Sequence, residues 1–179
     1  MARQPVDWSK LQVFQVDERV APAGDSSRNL TALHQALVVD KKLPAANLHA
    51  MPVDEADLDA AALAYLARIA QHAGEPPVLD VVHLGLGSDG HTASLFPDDP
   101  AVDVAAKTVL CTSSQAGFRR MTLSLPLISS ARHVVWYVTG EGKRTVLAQL
   151  ATRGWKAPAG RIARRHAVIY ADKAAAGLD

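Results

Sequence analysis

Residues 85–97 read Gly-Leu-Gly-Ser-Asp-Gly-His-Thr-Ala-Ser-Leu-Phe-Pro and follow directly on the apolar run Val78-Leu-Asp-Val-Val-His-Leu84. A strand that empties into such a loop sets it at the carboxyl end of a sheet, where open α/β folds bind their ligands. The glycines let backbone N–H groups approach an oxyanion or a phosphate closely. Asp89 and His91 add a charge and a base two residues apart. A neutral imidazole takes a proton from water and returns it to a leaving oxygen near physiological pH. Asp89 has three readings: it orients His91, it binds sugar hydroxyls, or it accepts backbone N–H bonds inside the turn. A tight turn with a solvated Asp and a capping His is the plainer alternative, and it accounts for the glycines alone.

Other side chains suit an anionic substrate. Asp17 ends an apolar run and so falls at the ligand edge of a sheet, whereas Glu18 reads as a surface charge. Arg19, Arg120 and Lys143 come from separate regions and can converge on a phosphate, Arg as a bidentate fork and Lys as a point charge. Taken singly, each reads as a solvated charge; Arg119, Arg153, Lys156, Arg164 and Arg165 stay in that class. Several chemistries are not expected. His83 and His91 lack metal-ligand spacing and there is no Cys pair, so no metal is expected. No Gly-x-Ser-x-Gly elbow occurs, which leaves Ser88 and Ser94 as hydrogen-bond donors rather than nucleophiles. Gly85-Leu-Gly87 begins like a dinucleotide fingerprint, but no nucleotide cofactor is expected. His83, inside the apolar run, reads as a satisfied core histidine, and Cys111 as a buried, inert thiol.

The chain as a whole is unexceptional. Its 179 residues predict one domain over 1–179, with 49% hydrophobic and 21% charged residues. A net charge of +1 gives no global field toward nucleic acid or an anionic membrane, so local Arg and Lys must meet any anion. One cysteine excludes an internal disulfide framework and suits a reducing compartment. Residues 1–10 lack an apolar core, and no apolar run approaches the roughly 18 residues of a span. A cytoplasmic protein is expected.

The elements that must position these groups follow from periodicity. Leu11–Val16 alternates as a strand, and Asp25–Asn29 can cap a helix carrying Leu30, Leu33 and Leu37 on one face. Leu48–Met51 is a short strand. Asp54 reads as an N-cap for a helix whose Leu58, Ala61, Ala62, Tyr65, Leu66 and Ile69 repeat at helical spacing, ending at Gly74. The run 78–84, apolar on both faces, predicts the buried centre of a parallel sheet. Further strands are expected over 107–112, 120–125, 133–138 and 166–170, with a helix over 142–150 and a loop over 155–160. Alternation of strands and helices predicts an α/β fold: a layered, mostly parallel sheet with helices on both faces.

The loop Gly85–Pro97 resembles the signature of the 6-phosphogluconolactonases, and other segments match that family in order. Asp17-Glu18-Arg19 resembles its Asp-Glu-Arg segment, with Asn29 where the family has Ser-Asn. Arg120-Met-Thr-Leu-Ser-Leu-Pro126 resembles its Arg-x-Thr-Leu-Thr-x-Pro strand, and Thr139-Gly-Glu-Gly-Lys143 its Thr-Gly-x-x-Lys turn. The resemblance runs from about Asp7 to Ala176. It implies the sugar-phosphate isomerase/deaminase-like fold, shortened at its N-terminus, and hydrolysis of 6-phosphogluconolactone in the pentose phosphate pathway. His91 would be the general base with Asp89 beside it. Asp17, Arg19, Gly85, Gly87, Gly90, Arg120 and Lys143 would hold the phosphorylated sugar lactone, with no cofactor and no metal. A related family of amino-sugar-phosphate deaminases and isomerases shares the Asp-Gly-His loop but continues Ala-Phe-Asn-Glu-Pro; here Ser94-Leu-Phe-Pro97 follows and no Glu is present. One departure is larger. Members of the family begin with further strands and a Gly-Gly-Ser/Thr-Pro phosphate loop, whereas this chain begins at the segment matching Asp7-Trp-Ser-Lys10. That predicts weaker phosphate affinity, an uncovered sheet face, and weak activity unless a partner or a second copy (a homo-oligomer) fills the gap. The alternative is a non-catalytic binding or assembly module.

Overall fold

The computed structural model describes residues 6–40 and 42–178. Its strands are β1 (Val13–Phe14), β2 (Asp17–Arg19), β3 (Leu48–His49), β4 (Val81–Leu84), β5 (Val109–Gln115), β6 (Phe118–Leu123), β7 (His133–Val138) and β8 (Ala167–Ala171). Its α-helices are α1 (Asn29–His34), α2 (Leu58–Ala73), α3 (Leu125–Ser129), α4 (Arg144–Ala151), α5 (Pro158–Arg161) and α6 (Lys173–Ala176). Strands β1 and β3 pair in parallel, as do β4–β7–β8, while β2–β6–β5 is antiparallel. The α/β architecture with parallel sheets is thus present, with an antiparallel layer added. Among the described residues no helix is long and apolar enough to cross a membrane.

The longest helix shows how the sequence directs its element. Leu58, Ala61, Ala62, Tyr65 and Ile69 of α2 are buried, and the helix packs across β5. Its N-cap is Asp57, whose carboxylate accepts from the N–H groups of Asp59 and Ala60, not Asp54. Asp54 is instead drawn to Arg28, whose Nη1 donates to both of its oxygens at 2.9 Å. A charged partner held Asp54 out of the capping role.

Other expectations change as well. The run 11–16 is not one strand, because Gln15 turns inward. Its Nε2 donates to Glu18 at 2.8 Å, and its Oε1 accepts from the Met51 N–H at 2.9 Å. The strand β4 is buried on one face only: Val82 and Leu84 enter the core, whereas Val81 is 58% exposed and His83 is exposed. His83 is therefore no core histidine. It stands edge-on to Tyr137, which stacks on Tyr170, on a solvent-exposed face of the β4–β7–β8 sheet. Cys111 is half-buried, with Sγ toward the Leu58 carbonyl. A short α5 stands where the end of 155–160 reads as loop, opened by Pro158 in its first turn, and helices α3 and α6 were not foreseen. Both follow standard capping, Ser124 accepting from the Leu127 N–H and Asp172 from the Ala175 N–H.

The core, including Trp136, Leu84, Leu95, Met121, Leu123 and Ile128, lies under the parallel and antiparallel sheets. Within it sits a charge. Glu18 is 0% exposed and accepts from the backbone N–H groups of Arg19, Asn29 and Leu30, each at 2.8 Å, as well as from Gln15. It is no surface carboxylate but a tertiary cap on the open N-terminus of α1, with the Arg28 Nε 3.6 Å away. Removing it would strand those donors and the buried Arg28. Glu18→Ala should therefore lower unfolding free energy by about 3–5 kcal/mol, measured by urea titration, and Glu18→Gln by less. A loss under about 1 kcal/mol would remove Glu18 from this role.

Candidate active site

Two walls face each other across a cavity of about 400 Å³. One is the loop after β4, contributing Gly85, Gly87 and His91; the other is built by β2, β6 and the start of α1, contributing Asp17, Arg19, Arg120 and Asn29. Lys143 lines it as well. The structure thus gathers into one pocket side chains from segments up to 126 residues apart, counted from Asp17 to Lys143.

The loop is rigidly closed. The Gly87 N–H donates to the His91 carbonyl at 2.9 Å, the Gly90 N–H to the Gly87 carbonyl at 3.0 Å, and the Thr92 hydroxyl to the Gly85 carbonyl at 2.9 Å. Within it His91 Nδ1 meets Asp89 Oδ1 at 2.6 Å, and the same oxygen accepts from the His91 N–H at 3.1 Å. Partial burial alone would raise the Asp89 carboxyl, but the hydrogen bonds from His91 outweigh it and hold the group below its ordinary value. A charged Asp89 on Nδ1 fixes the tautomer that leaves the Nε2 lone pair free, the form a general base needs. Asp89 itself does not line the cavity; it works from behind.

Gly87 must be glycine for a steric reason: a Cβ there would lie 2.1 Å from His91 Nδ1 and 2.6 Å from Asp89 Oδ1. Gly90, grouped with the substrate-binding glycines on sequence, does not line the cavity. It has φ +88° and abuts Trp155 and Ala157, so close that a Cβ would fall 2.6 Å from each. Its carbonyl accepts from the Ala159 N–H at 3.0 Å. Gly85, Gly87 and Gly90 do keep the full G-x-G-x-x-G spacing, contrary to the partial match read from sequence. No helix opens behind them, however: residues 92–95 form a turn, so the helix N-terminus that grips a pyrophosphate is absent here.

On the opposite wall, alternation along β2 sends Glu18 inward and turns Asp17 and Arg19 to the cavity. Asp17 accepts from the Ser94 hydroxyl at 2.6 Å and from Asn29 Nδ2 at 3.3 Å. Arg19 and Arg120 are direct cross-strand partners in the β2–β6 pair. Like charges so placed repel. Burial first, and Arg19 second, pull the Arg120 guanidinium below its usual value, against the opposing pull of Asp17. Neither Nε of this pair has a hydrogen-bond partner among the described residues, although both are buried. Two crowded guanidiniums with unbonded donors fit an oxyanion such as a phosphate. Lys143 donates to the Leu86 carbonyl at 2.6 Å and so ties its own turn to the loop. Asp172 steadies that turn by accepting from the Gly140 N–H at 3.0 Å.

Several contributors carried no sequence signal of their own: Trp155, Gln15 and Asp172. Ser94 and Asn29 lay inside the matched segments but acquire a role only through Asp17. Among the described residues there is no group of three or more His, Cys, Asp or Glu placed to hold a metal ion.

The profile of the family described as glucosamine-6-phosphate isomerases/6-phosphogluconolactonase matches residues 1–171. A 6-phosphogluconolactonase of Synechocystis is 37% identical over 154 residues, covering 84% of this chain and 64% of that protein. One of Mycobacterium tuberculosis is 38% identical over 187 residues, covering 97% and 75%. The solved 6-phosphogluconolactonase of Trypanosoma cruzi superposes with a TM-score of 0.80 at 31% identity, over 93% of this chain and 72% of that one. The chain thus spans less than two thirds of the Synechocystis protein and three quarters of the mycobacterial one.

Burial, the largest influence, raises the Asp17 carboxyl above its ordinary value despite the Ser94 hydrogen bond and both arginines. A raised folded value means that the folded state holds this proton to higher pH than the unfolded chain does. The contribution to stability is full below the unfolded value, about 3.9, and is lost as pH climbs through the folded value. Asp17→Asn removes that loss. Thermal melts from about pH 4 to pH 7 should show the variant gaining on the wild type as pH rises; a constant difference would contradict the assignment.

Proposed function

The chain belongs to the glucosamine-6-phosphate isomerase/6-phosphogluconolactonase family, and we propose that its cavity hydrolyses the lactone of a phosphorylated sugar acid, 6-phosphogluconolactone. This is the lactone step of the pentose phosphate pathway. The observation that carries the reading is the Asp89–His91 pair at 2.6 Å facing the crowded Arg19–Arg120 pair across one cavity. A base and an anion site at opposite walls suit a substrate with a reactive carbonyl at one end and a phosphate at the other.

In the proposed reaction His91 Nε2 takes a proton from water as the oxygen attacks the C1 carbonyl. Asp89 stabilises the imidazolium that forms. The tetrahedral oxyanion then collapses, the bond from C1 to the ring oxygen breaks, and the imidazolium returns its proton to that oxygen. The product is the open-chain acid, and His91 is neutral again. The N–H groups of Gly87 and Gly90 already close the turn. Stabilisation of the oxyanion therefore falls to the remaining polar groups of the loop wall and to Lys143, whose Nζ lies on the Leu86 carbonyl of that loop. The phosphate, remote from C1, supplies binding energy and orientation. An ester this reactive needs positioning and a base, not a covalent intermediate. A bound amino-sugar phosphate would meet no Glu after the loop, since Ser94-Leu-Phe-Pro97 stands there.

The decisive experiment is a lactonase assay on the chain and on His91→Ala, corrected for spontaneous hydrolysis. The variant should lose about 10²–10⁴-fold in kcat; equal rates would remove His91 from the mechanism. Ammonia release from glucosamine 6-phosphate would replace the lactonase reading with a deaminase. Arg120→Gln should raise KM for the phosphorylated lactone by about 10–100-fold, the range of a hydrogen bond to a charged group. The unphosphorylated lactone should be unaffected.

A further inference from the structure

We propose that Phe96 is a positioning residue that sets the plane of the His91 imidazole and the reach of the Arg120 guanidinium at once. The kinetic part of this inference rests on the lactone-hydrolysis reading above; its geometric part does not. The His91 and Phe96 ring centroids lie 4.4 Å apart with 35° between the planes. The Arg120 Cζ lies 5.3 Å from the centroid of the same Phe96 ring. One half-buried aromatic side chain therefore touches the base and one of the two anion-binding cations.

Each partner needs it. The Asp89 carboxylate holds the His91 ring at one atom, Nδ1, its other bond going to the His91 main-chain N–H. One bond anchors an atom but leaves an imidazole free to swing about that anchor, and the direction of the Nε2 lone pair swings with it. A ring packed against the imidazole face removes that freedom. Arg120 is held more loosely still. Its Nε is buried with no hydrogen-bond partner among the described residues, and its hydrogen bond to the Gln115 carbonyl is long, at 3.5 Å. The face of Phe96 offers the guanidinium an attractive seat that uses none of its five N–H donors. The donors stay available to an anion.

Phe96 is itself well placed to serve as a fixed reference. Before it, Leu95 is fully buried and its N–H donates to the Thr92 carbonyl at 3.0 Å. After it, the Asp99 N–H donates to the Phe96 carbonyl at 3.1 Å. Ser94, two residues upstream, is pinned to Asp17 at 2.6 Å. The backbone that carries the ring thus joins the loop wall to the β2 wall. A change in one wall reaches the other through this ring.

The test compares Phe96→Leu with Phe96→Tyr, which keeps the ring. In the lactonase assay Phe96→Leu should lower kcat by about 10–100-fold, as a misplaced base does, and raise KM by about 3–30-fold, the loss of a cation–π contact. Phe96→Tyr should restore both. On a His91→Ala background the kcat effect of Phe96→Leu should vanish while its KM effect remains. Inorganic phosphate, titrated against the Arg120 Nε–H resonance, should bind about 3–30-fold more weakly to Phe96→Leu. In the same spectra the His91 Nδ1–H signal should broaden. Unchanged phosphate affinity together with an unchanged His91 signal would overturn the inference. So would a kcat loss that persists in full without His91. If the wild-type chain shows no lactonase activity, the functional reading fails, while the phosphate titration and the imidazole spectrum still decide the role of Phe96.

Discussion

The arrangement hangs on one buried carboxylate. Glu18 occupies the middle of a three-residue strand, and its oxygens collect the N–H groups that α1 leaves open, the amide of Arg19 and the side chain of Gln15. Because side chains alternate on a strand, turning Glu18 into the core forces Asp17 and Arg19 to the opposite face, which is the cavity wall. The same carboxylate sets where α1 begins and therefore where Asn29 stands, against the carbonyl and carboxylate of Asp17. Gln15 carries the constraint on to Met51 and so to the segment leading into α2. A group that never meets substrate decides which groups do.

The second organising feature is electrostatic. The wall opposite the base sets two guanidiniums side by side across a strand pair and backs them with one buried carboxylate, Asp17. Left alone, such a pair is unfavourable. Asp17 offsets part of the repulsion, yet burial works against its own charge. The site is therefore poised rather than satisfied: an incoming dianion relieves the arginines without having to displace a tight internal salt bridge. Phe96 lies against both His91 and Arg120 and so links the base to this wall.

How much of this was legible in the sequence depends on the range of the interaction. The loop 85–97 announced itself, because glycine spacing and the Asp-x-His pair are local features. So did α2, whose apolar period and flanking Asp and Gly residues act within a few turns. Asp17, Arg19, Arg120 and Lys143 were recoverable only as matched segments, since nothing in a lone arginine says that it faces another. Glu18 was misread: a carboxylate between two charged neighbours looks solvated until the unpaired N–H groups of a helix twelve residues on are brought to it. Asp54 failed similarly, losing the cap to Asp57 through a charge partner 26 residues away. The strand β4 was apolar on both faces, but only Val82 and Leu84 are covered; Val81 and His83 face solvent with Tyr137 and Tyr170. Periodicity records what a face can bury, not what arrives to bury it.

Trp155 carries that lesson into the site. It lies in a segment with no chemical side chain of note, and sequence pattern marks it only as loop. In the fold its ring lies against the Cα of Gly90, and a Cβ added at Gly160 would fall 2.8 Å from its own Cβ. The Ala159 N–H completes the contact by donating to the Gly90 carbonyl. Gly90 is thus a glycine for packing as well as for its positive φ, and its role is to let a distant segment brace the turn from outside. The brace matters because Gly90 is the link between Asp89 and His91, inside a turn closed by backbone bonds at Gly87 and Gly90. Close packing at Gly87 stops the pair from collapsing inward, and Trp155 stops the turn from opening outward. With Phe96 against the imidazole, His91 is constrained from its own loop by Gly87 and Phe96 and from a distant segment by Trp155.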